Sequence, residues 1–240
     1  MSETVIKLNN ISLDYPKHKH ILSLLLNKIK EKHQTFSALR DINLEIKKGE
    51  IIGIIGNNGC GKSTLLRIIA GIIPPNEGEC LVAGKISLLA GLGTGFSNHQ
   101  TGRENAMLYG SILGYSESQM IEILPLIVEF SGLQEFIEEP LRTYSAGMKA
   151  RLGLAVASAI EPEILLIDEV LGVGDPNFKE KSTDRIMEMV SDAGTVVIVS
   201  HSFGMLSNVC DRIVLMEKGK IHSVGDPKEV IKQYYQLDKW

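Results

Sequence analysis

Nine consecutive residues have the types and spacing to do chemistry: Gly56-Asn57-Asn58-Gly59-Cys60-Gly61-Lys62-Ser63-Thr64. They follow an apolar run, Ile51 to Ile55, and lead into a helical pattern from Thr64 to Ala70. Glycines at this spacing let the backbone curl until successive N–H groups point into one concavity, where they bind phosphate oxygens. The helix N-terminus adds its positive dipole end. Lys62 reaches the β- and γ-phosphates of a nucleotide, and the Ser63 hydroxyl ligates Mg2+.

A second set of residues completes that chemistry. Ile164-Leu165-Leu166-Ile167 reads as a buried strand that delivers Asp168 and Glu169 at its C-terminal end, where ligands of α/β sheets sit. Asp168 then holds Mg2+ through its waters, and Glu169 accepts a proton from an attacking water. A base-reading Asn-Lys-x-Asp segment of the small GTPases is missing. The nearest stretch, Asn27-Lys28-Ile29-Lys30, lacks the Asp.

The elements that must position these groups alternate between short β-rich runs and longer helical ones, the pattern of an α/β fold. Val5 to Leu8 and Ile42 to Ile46 alternate like half-buried strands, while Ile51 to Ile55, Thr195 to Val199 and Ile213 to Met216 read as covered on both faces. Gly219 marks a hairpin turn, and Asp226-Pro227 opens a last helix. From about residue 98 to 160 helical periodicity replaces the strand pattern, which reads as a helical subdomain within one domain spanning residues 1–240.

Composition narrows the setting. The 240 residues carry 25 Lys+Arg against 29 Asp+Glu, a net charge of -4, which excludes a globally basic nucleic-acid binder. Three irregularly spaced cysteines suit a reducing compartment. The N-terminus has no basic-then-apolar signal, and no apolar run approaches the ~18 residues of a membrane span. A cytoplasmic location is expected.

Leu141-Arg142-Thr143-Tyr144-Ser145-Ala146-Gly147-Met148-Lys149 lies between the two nucleotide motifs. With it, the chain resembles the ATPase subunit of ABC transporters over essentially its whole length. This stretch stands where that family has Leu-Ser-Gly-Gly-Gln; it departs at Ala146 and Met148 and keeps Ser145 and Gly147. The resemblance implies a P-loop (RecA-like) core with an antiparallel β subdomain and an inserted helical subdomain. It also implies a head-to-tail homodimer, in which Ser145 and Gly147 close over the γ-phosphate of ATP bound by the other subunit. It places Asp175 of Val173-Gly174-Asp175 at the dimer interface, His201 on the γ-phosphate and Tyr15 against the adenine ring. For Tyr15, strand-end packing is the competing reading. The Gln that the family carries after the next strand is absent between Lys85 and His99, and Gln100 comes too late.

The segment from Gly91 to Phe96, with Thr101 to Asn105, Ser145 to Met148, Asp168 to Leu171, Phe178 and Lys181, resembles one branch of the family. That branch exports O-antigen, capsule or teichoic-acid polysaccharide. The resemblance implies an integral membrane permease pair as partner, a lipid-linked glycan as substrate and a peripheral position on the cytoplasmic face of the inner membrane. No nucleic acid is expected. The sequence ends at Trp240, right after the core, so glycan selection by the extra C-terminal sugar-binding domain of some O-antigen members is not expected. An importer ATPase for a small solute and a soluble ATPase acting on nucleic acid or ribosomes are the competing classes.

Two local features complete the reading. Residues 16–36 hold an insertion in which Leu22, Leu25, Leu26 and Ile29 form one apolar helix face and Lys28, Lys30 and Lys32 lie elsewhere on the helix. Such a helix either docks on a membrane surface or partner, or packs on its own core. His18 and His20 have no third ligand to make a metal site. Cys60 sits at a helix N-terminus, which lowers thiol pKa, so alkylation that inhibits hydrolysis and is blocked by MgATP is expected. Cys80 and Cys210 read as core residues.

Overall fold

The computed structural model describes residues 3–16, 35–90, 95–159, 162–169 and 176–237. The insertion at 17–34, residues 91–94 of the glycine-rich stretch and residues 170–175, with Asp175, lie outside the described residues. The chain forms two compact units, Met1–Ala83 with Val199–Trp240, and Gly84–Ile198. Among the described residues no helix is long and apolar enough to cross a membrane.

The first unit opens with β1 (Thr4–Pro16) and β2 (Thr35–Lys47), an antiparallel pair. Then come β3 (Ile51–Ile55), α1 (Lys62–Ile69) and β4 (Glu77–Val82), which pairs with the other edge of β1. Ile42, Leu44 and Ile46 are buried while Asn43 and Glu45 face solvent, the alternation expected of a half-buried strand. The ladder is longer than that alternation shows because bulges interrupt it. Asn10 and Asp41 each take a φ of 51°, a conformation Asn and Asp tolerate through local hydrogen bonds. Here the Asn10 N–H donates to Asn43 Oδ1 at 2.8 Å and the Asp41 N–H to Ser12 Oγ at 3.1 Å. In α1, Leu65, Leu66, Ile68 and Ile69 are buried and Arg67 is exposed in the last turn, where its charge suits the dipole.

The second unit contains β5 (Ile86–Leu89), α2 (Gly102–Ile112), α3 (Glu117–Ser131), a 3-10 turn (Leu141–Thr143), α4 (Ala146–Ser158), β6 (Ile164–Asp168), α5 (Pro176–Asp192) and β7 (Thr195–Val199). The strands run in the order β5-β6-β7, with β5 and β6 parallel. Ile164 to Ile167 are all buried, each worth roughly 1.5–3 kcal/mol of apolar burial. Both α2 and α3 open with a capping box, Thr101 with Glu104 and Ser116 with Gln119. They cross so closely that a Cβ on Gly110 would lie 2.1 Å from Met120 Sδ. Helix α5 is tied to its neighbours by Arg185, which donates to Ser158 O at 2.6 Å, and by Lys181, which donates to Phe130 O at 3.0 Å.

From Val199 the chain returns to the first unit through α6 (Phe203–Val209), β8 (Arg212–Glu217), β9 (Lys220–Gly225) and α7 (Pro227–Leu237). Strand β8 runs parallel to β3 and antiparallel to β9. Lys218 and Gly219 make the hairpin turn with φ of 48° and 80°, which a two-residue turn of this hand needs. Asp226 caps α7, its Oδ1 accepting from the N–H groups of Lys228 and Glu229 at 2.9 and 3.2 Å. Glu50 pairs with Arg212, linking the start of β3 to that of β8.

Candidate functional site

The phosphate loop is built where β3 ends and α1 begins. Gly56, Gly59 and Gly61 have φ of 146°, 79° and 108°, which side chains rarely adopt. At two of them space forbids a side chain as well. A Cβ on Gly56 would lie 2.2 Å from Met216 O, and one on Gly61 would lie 2.7 Å from Ala38 O. Helix α1 has no side-chain cap at Gly61, so its first-turn N–H groups are not claimed by a capping side chain. Lys62 is only 6% exposed, and its ammonium donates to Gly56 O at 2.7 Å and Asn57 O at 3.2 Å. Asn57, Asn58 and Gly59 form the exposed tip, and Ser63 and Thr64 lie half-buried on the first turn of α1. A curled loop, an uncapped helix start and an ammonium held inside the curve are the parts a nucleotide's phosphates require.

Cys60 behaves differently from its sequence position. It is buried, and that burial pushes its thiol pKa up despite the opposing pull of Lys62 and the backbone N–H groups. The expected reactive thiolate is therefore corrected to a protonated core thiol, because desolvation outweighs the helix dipole. Cys210 is buried as expected, with its thiol pushed up to about 12 by burial and by Asp211. Cys80 is only half-buried, on the edge strand β4.

Two more candidate residues lie in the same unit. Tyr15 is half-buried near the end of β1, in register with Phe36 on β2. Phe36 is 51% exposed and was not singled out by sequence; its signal was an aromatic opening the run of the paired strand. His201 is exposed just after β7, in a turn fixed by Ser202 N–H to Ser200 Oγ at 3.0 Å and by Phe203 N–H to His201 O at 3.1 Å.

The second unit holds the other motifs. Asp168 is half-buried at the end of β6, and the exposed Glu169 follows with a φ of 55°. A non-glycine residue in that region costs about 1–3 kcal/mol, a strain typical of functional positions. Ser145 caps α4, its Oγ accepting from the Met148 N–H at 3.1 Å, so the helix begins at Ala146 rather than near Met148. That bond uses a lone pair of the hydroxyl and leaves its proton available to donate. A Cβ on Gly147 would meet nothing nearer than Ser145 Oγ at 3.8 Å.

Tyr144, beside Ser145, anchors this segment. It is buried, its hydroxyl donates to Phe136 O at 2.5 Å, and burial with the carboxylates of Glu138 and Glu139 pushes its pKa up to about 12. A Cβ on Gly102 would fall 2.2 Å from that hydroxyl. Gln100 lies in the turn before α2, its carbonyl accepting from the Leu141 N–H at 2.9 Å.

Among the described residues no three His, Cys, Asp or Glu side chains cluster as a metal cage. Mg2+ does not need one, since it takes one or two protein oxygens together with substrate phosphates. The Ser63 hydroxyl and the Asp168 carboxylate are hard donors of that kind.

Known proteins resemble this chain in sequence and fold. The family model described as ABC transporter matches residues 39–172. The chain is 39% identical to the teichoic acids export ATP-binding protein TagH of Shouchella clausii, over 97% of this chain and 66% of that protein. It is 43% identical to TagH of Listeria innocua over 88% of this chain and 62% of that protein. It is 38% identical to the O-antigen export system ATP-binding protein RfbB of Klebsiella pneumoniae over 98% of both. The chain thus spans less than two thirds of the TagH relatives' length. Its fold matches an ATP-binding subunit of an ABC transporter at a TM-score of 0.73 and 21% identity, over 98% of this chain and 95% of that one. It also matches a dimeric ATP-binding cassette in a post-hydrolysis state bound to ADP and Pi at a TM-score of 0.71 and 24% identity, over 92% of this chain and 98% of that one. The family match covers more than half of the sequence, and the RfbB relative is matched almost end to end: the chain belongs to the ABC transporter family.

Proposed function

We propose that this chain is the ATP-hydrolysing subunit of a bacterial exporter that moves a lipid-linked polysaccharide across the cytoplasmic membrane. The observation that carries the ATPase part is the phosphate loop, with its uncapped helix start and Lys62 held on the carbonyls of Gly56 and Asn57. The export part rests on relatives whose names are teichoic acids export and O-antigen export proteins. In this reading the N–H groups of Gly59 to Thr64 and the Lys62 ammonium bind the phosphates, and Tyr15 stacks on the base. Ser63 and Asp168 would hold Mg2+, which would supply positive charge against that of the phosphates. Glu169 takes the proton of the attacking water, and His201 donates to the γ-phosphate. Two copies act head to tail, with Ser145 and Gly147 of one donating to the γ-phosphate held by the other and Asp175 at their interface. A membrane-spanning permease pair couples the cycle to the glycan, with the subunit on the cytoplasmic face.

Glu169→Gln tests the chemistry. Removing the base should slow hydrolysis roughly 10²–10⁴-fold while ATP binding survives, and the variant should run as a dimer by light scattering when MgATP is present. Hydrolysis at the wild-type rate would assign the base to another residue. Purification of tagged chain from detergent-solubilised membranes tests the export reading. A multi-span partner encoded beside sugar-transferase genes supports it, and a ribosomal or DNA-bound catch refutes it.

A further inference from the structure

The last helix reaches the phosphate loop. Tyr234 of α7 donates its hydroxyl hydrogen to Asn57 Oδ1 at 2.9 Å, joining residues 177 apart in sequence. Asn57 is also the loop residue whose carbonyl accepts from the Lys62 ammonium at 3.2 Å and from the Cys60 N–H at 3.2 Å. The ring of Tyr234 packs on Phe203 with centroids 5.0 Å apart, and Tyr235 meets the same Phe203 edge-on at 5.5 Å. Phe203 in turn donates its N–H to the carbonyl of His201 at 3.1 Å. A continuous path therefore runs within one compact unit from the phosphate loop, through Tyr234 and Phe203, to the His201 turn. Only Pro227 and Val230 of α7 are buried, so the aromatic cluster is a main anchor of its C-terminal half.

We infer that Tyr234 is a positioning residue for the nucleotide site, setting Asn57, and through it the Lys62 ammonium, in the conformation that receives phosphate. The inference rests on the reading that this loop binds ATP. Asn57 is exposed in the loop tip just after Gly56, where a side chain without an anchor would be free to rotate. One hydrogen bond from a ring wedged on Phe203 removes that freedom before ligand arrives. A loop held ready binds more tightly in proportion to the fraction of time it is competent, so losing the bond weakens apparent affinity without touching the chemical step.

The test uses the full chain with Tyr234→Phe, Asn57→Ala and the double variant, measuring MgATP affinity, steady-state hydrolysis and melting temperature without nucleotide. Phe keeps the ring on Phe203 and removes only the hydroxyl. Tyr234→Phe is expected to raise the Kd and KM for MgATP about two- to ten-fold, the range of one net hydrogen bond, with the change in KM rather than kcat. The double variant should be no weaker than Asn57→Ala alone, because both remove the same bond. An unchanged Kd with a lowered melting temperature would make Tyr234 a packing residue only and overturn the inference, as would additive effects. If wild-type chain itself fails to bind MgATP, the ATP reading falls and this one with it; if wild type binds and Tyr234→Phe matches it, only the positioning role is lost.

Discussion

Gly147→Ala separates fold from function at one atom. Gly147 is the second residue of α4, its φ lies outside the left-handed region, and an added Cβ would have Ser145 Oγ at 3.8 Å as its nearest neighbour, an ordinary contact. Nothing within the described chain requires glycine there. Alanine is favoured over glycine by roughly 0.5–1 kcal/mol inside helices. A first-turn position should realise the lower part of that range, so about 0.5 kcal/mol, or about 1–2 °C in melting temperature for a chain this long. The glycine therefore costs stability that no contact among the described residues offsets. If a partner's γ-phosphate docks on the N-terminus of α4, the new methyl stands between that oxygen and the helix N–H groups. Displacing one preorganised donor costs on the order of 10²–10³ in rate, and at least ten-fold loss is expected here. The assay pairs thermal melts and MgATP binding by the single chain with hydrolysis over a range of chain concentrations. The expected pattern is a slightly higher melting temperature, unchanged binding and failed hydrolysis at all concentrations. Hydrolysis equal to wild type would refute the docking argument, and a melting temperature lowered by several degrees would show a steric need that the structure does not contain.

Two further outcomes follow from particular contacts. Burial raises the pKa of both Cys60 and Cys80, but Cys60 is buried and Cys80 only half-buried, so iodoacetamide at neutral pH should modify Cys80 before Cys60, read by peptide mass spectrometry, and rapid Cys60 labelling would contradict the burial. Burial alone would raise the Glu50 carboxyl, but Arg212 and the Lys47 N–H outweigh it and hold its pKa below the ordinary 4.5. A depressed folded pKa gives stability that is present above the unfolded value and lost as pH falls through the folded one. The stability gap between wild type and Glu50→Gln, from urea melts, should be widest above about pH 5 and narrow toward pH 3; a gap independent of pH would mean that the ionised pair contributes nothing.

Much of the site could be read from the sequence because its determinants are local. Glycines at fixed offsets, Ser145 before a helix, Asp226 before Pro227 and Gly219 between two strands each act within four residues, and the structure shows the turns and caps they specify. What escaped depends on distance or competition. Alternation showed only short stretches of β1 and β2, because Asn10 and Asp41 sit at bulges that break the period of two. The pKa of Cys60 is decided by how deeply the fold buries it, which the dipole argument does not contain. Tyr144 was not singled out by sequence, yet its hydroxyl on Phe136 O and its fit against Gly102 make it the anchor of that segment. Glu169 was chosen for its carboxylate, while its left-handed backbone emerges only where β6 must turn sharply. Tyr234 and Asn57, at opposite ends of the chain, carry no shared pattern at all.

The two helix starts solve different problems with the same groups. At α1 no side chain caps the first turn, and Lys62 is buried against two neutral carbonyls of its own loop. Those contacts satisfy the ammonium, which could not otherwise stay buried as an ion, yet they are weaker than what a phosphate offers. A phosphate oxygen adds the attraction of opposite charges to the hydrogen bond, which a neutral carbonyl does not, so arriving phosphate can win Lys62 from Gly56 and Asn57 without the loop having been disordered beforehand. At α4 the opposite holds. Ser145 already accepts from Met148, and the helix is complete without a ligand. A helix start of that kind holds its shape while it waits for a charge brought by another molecule, and its hydroxyl proton and the Gly147 N–H are what it has left to give. The difference matches the proposed division of labour: the first start binds the nucleotide of its own chain, and the second donates to the nucleotide held by the other copy.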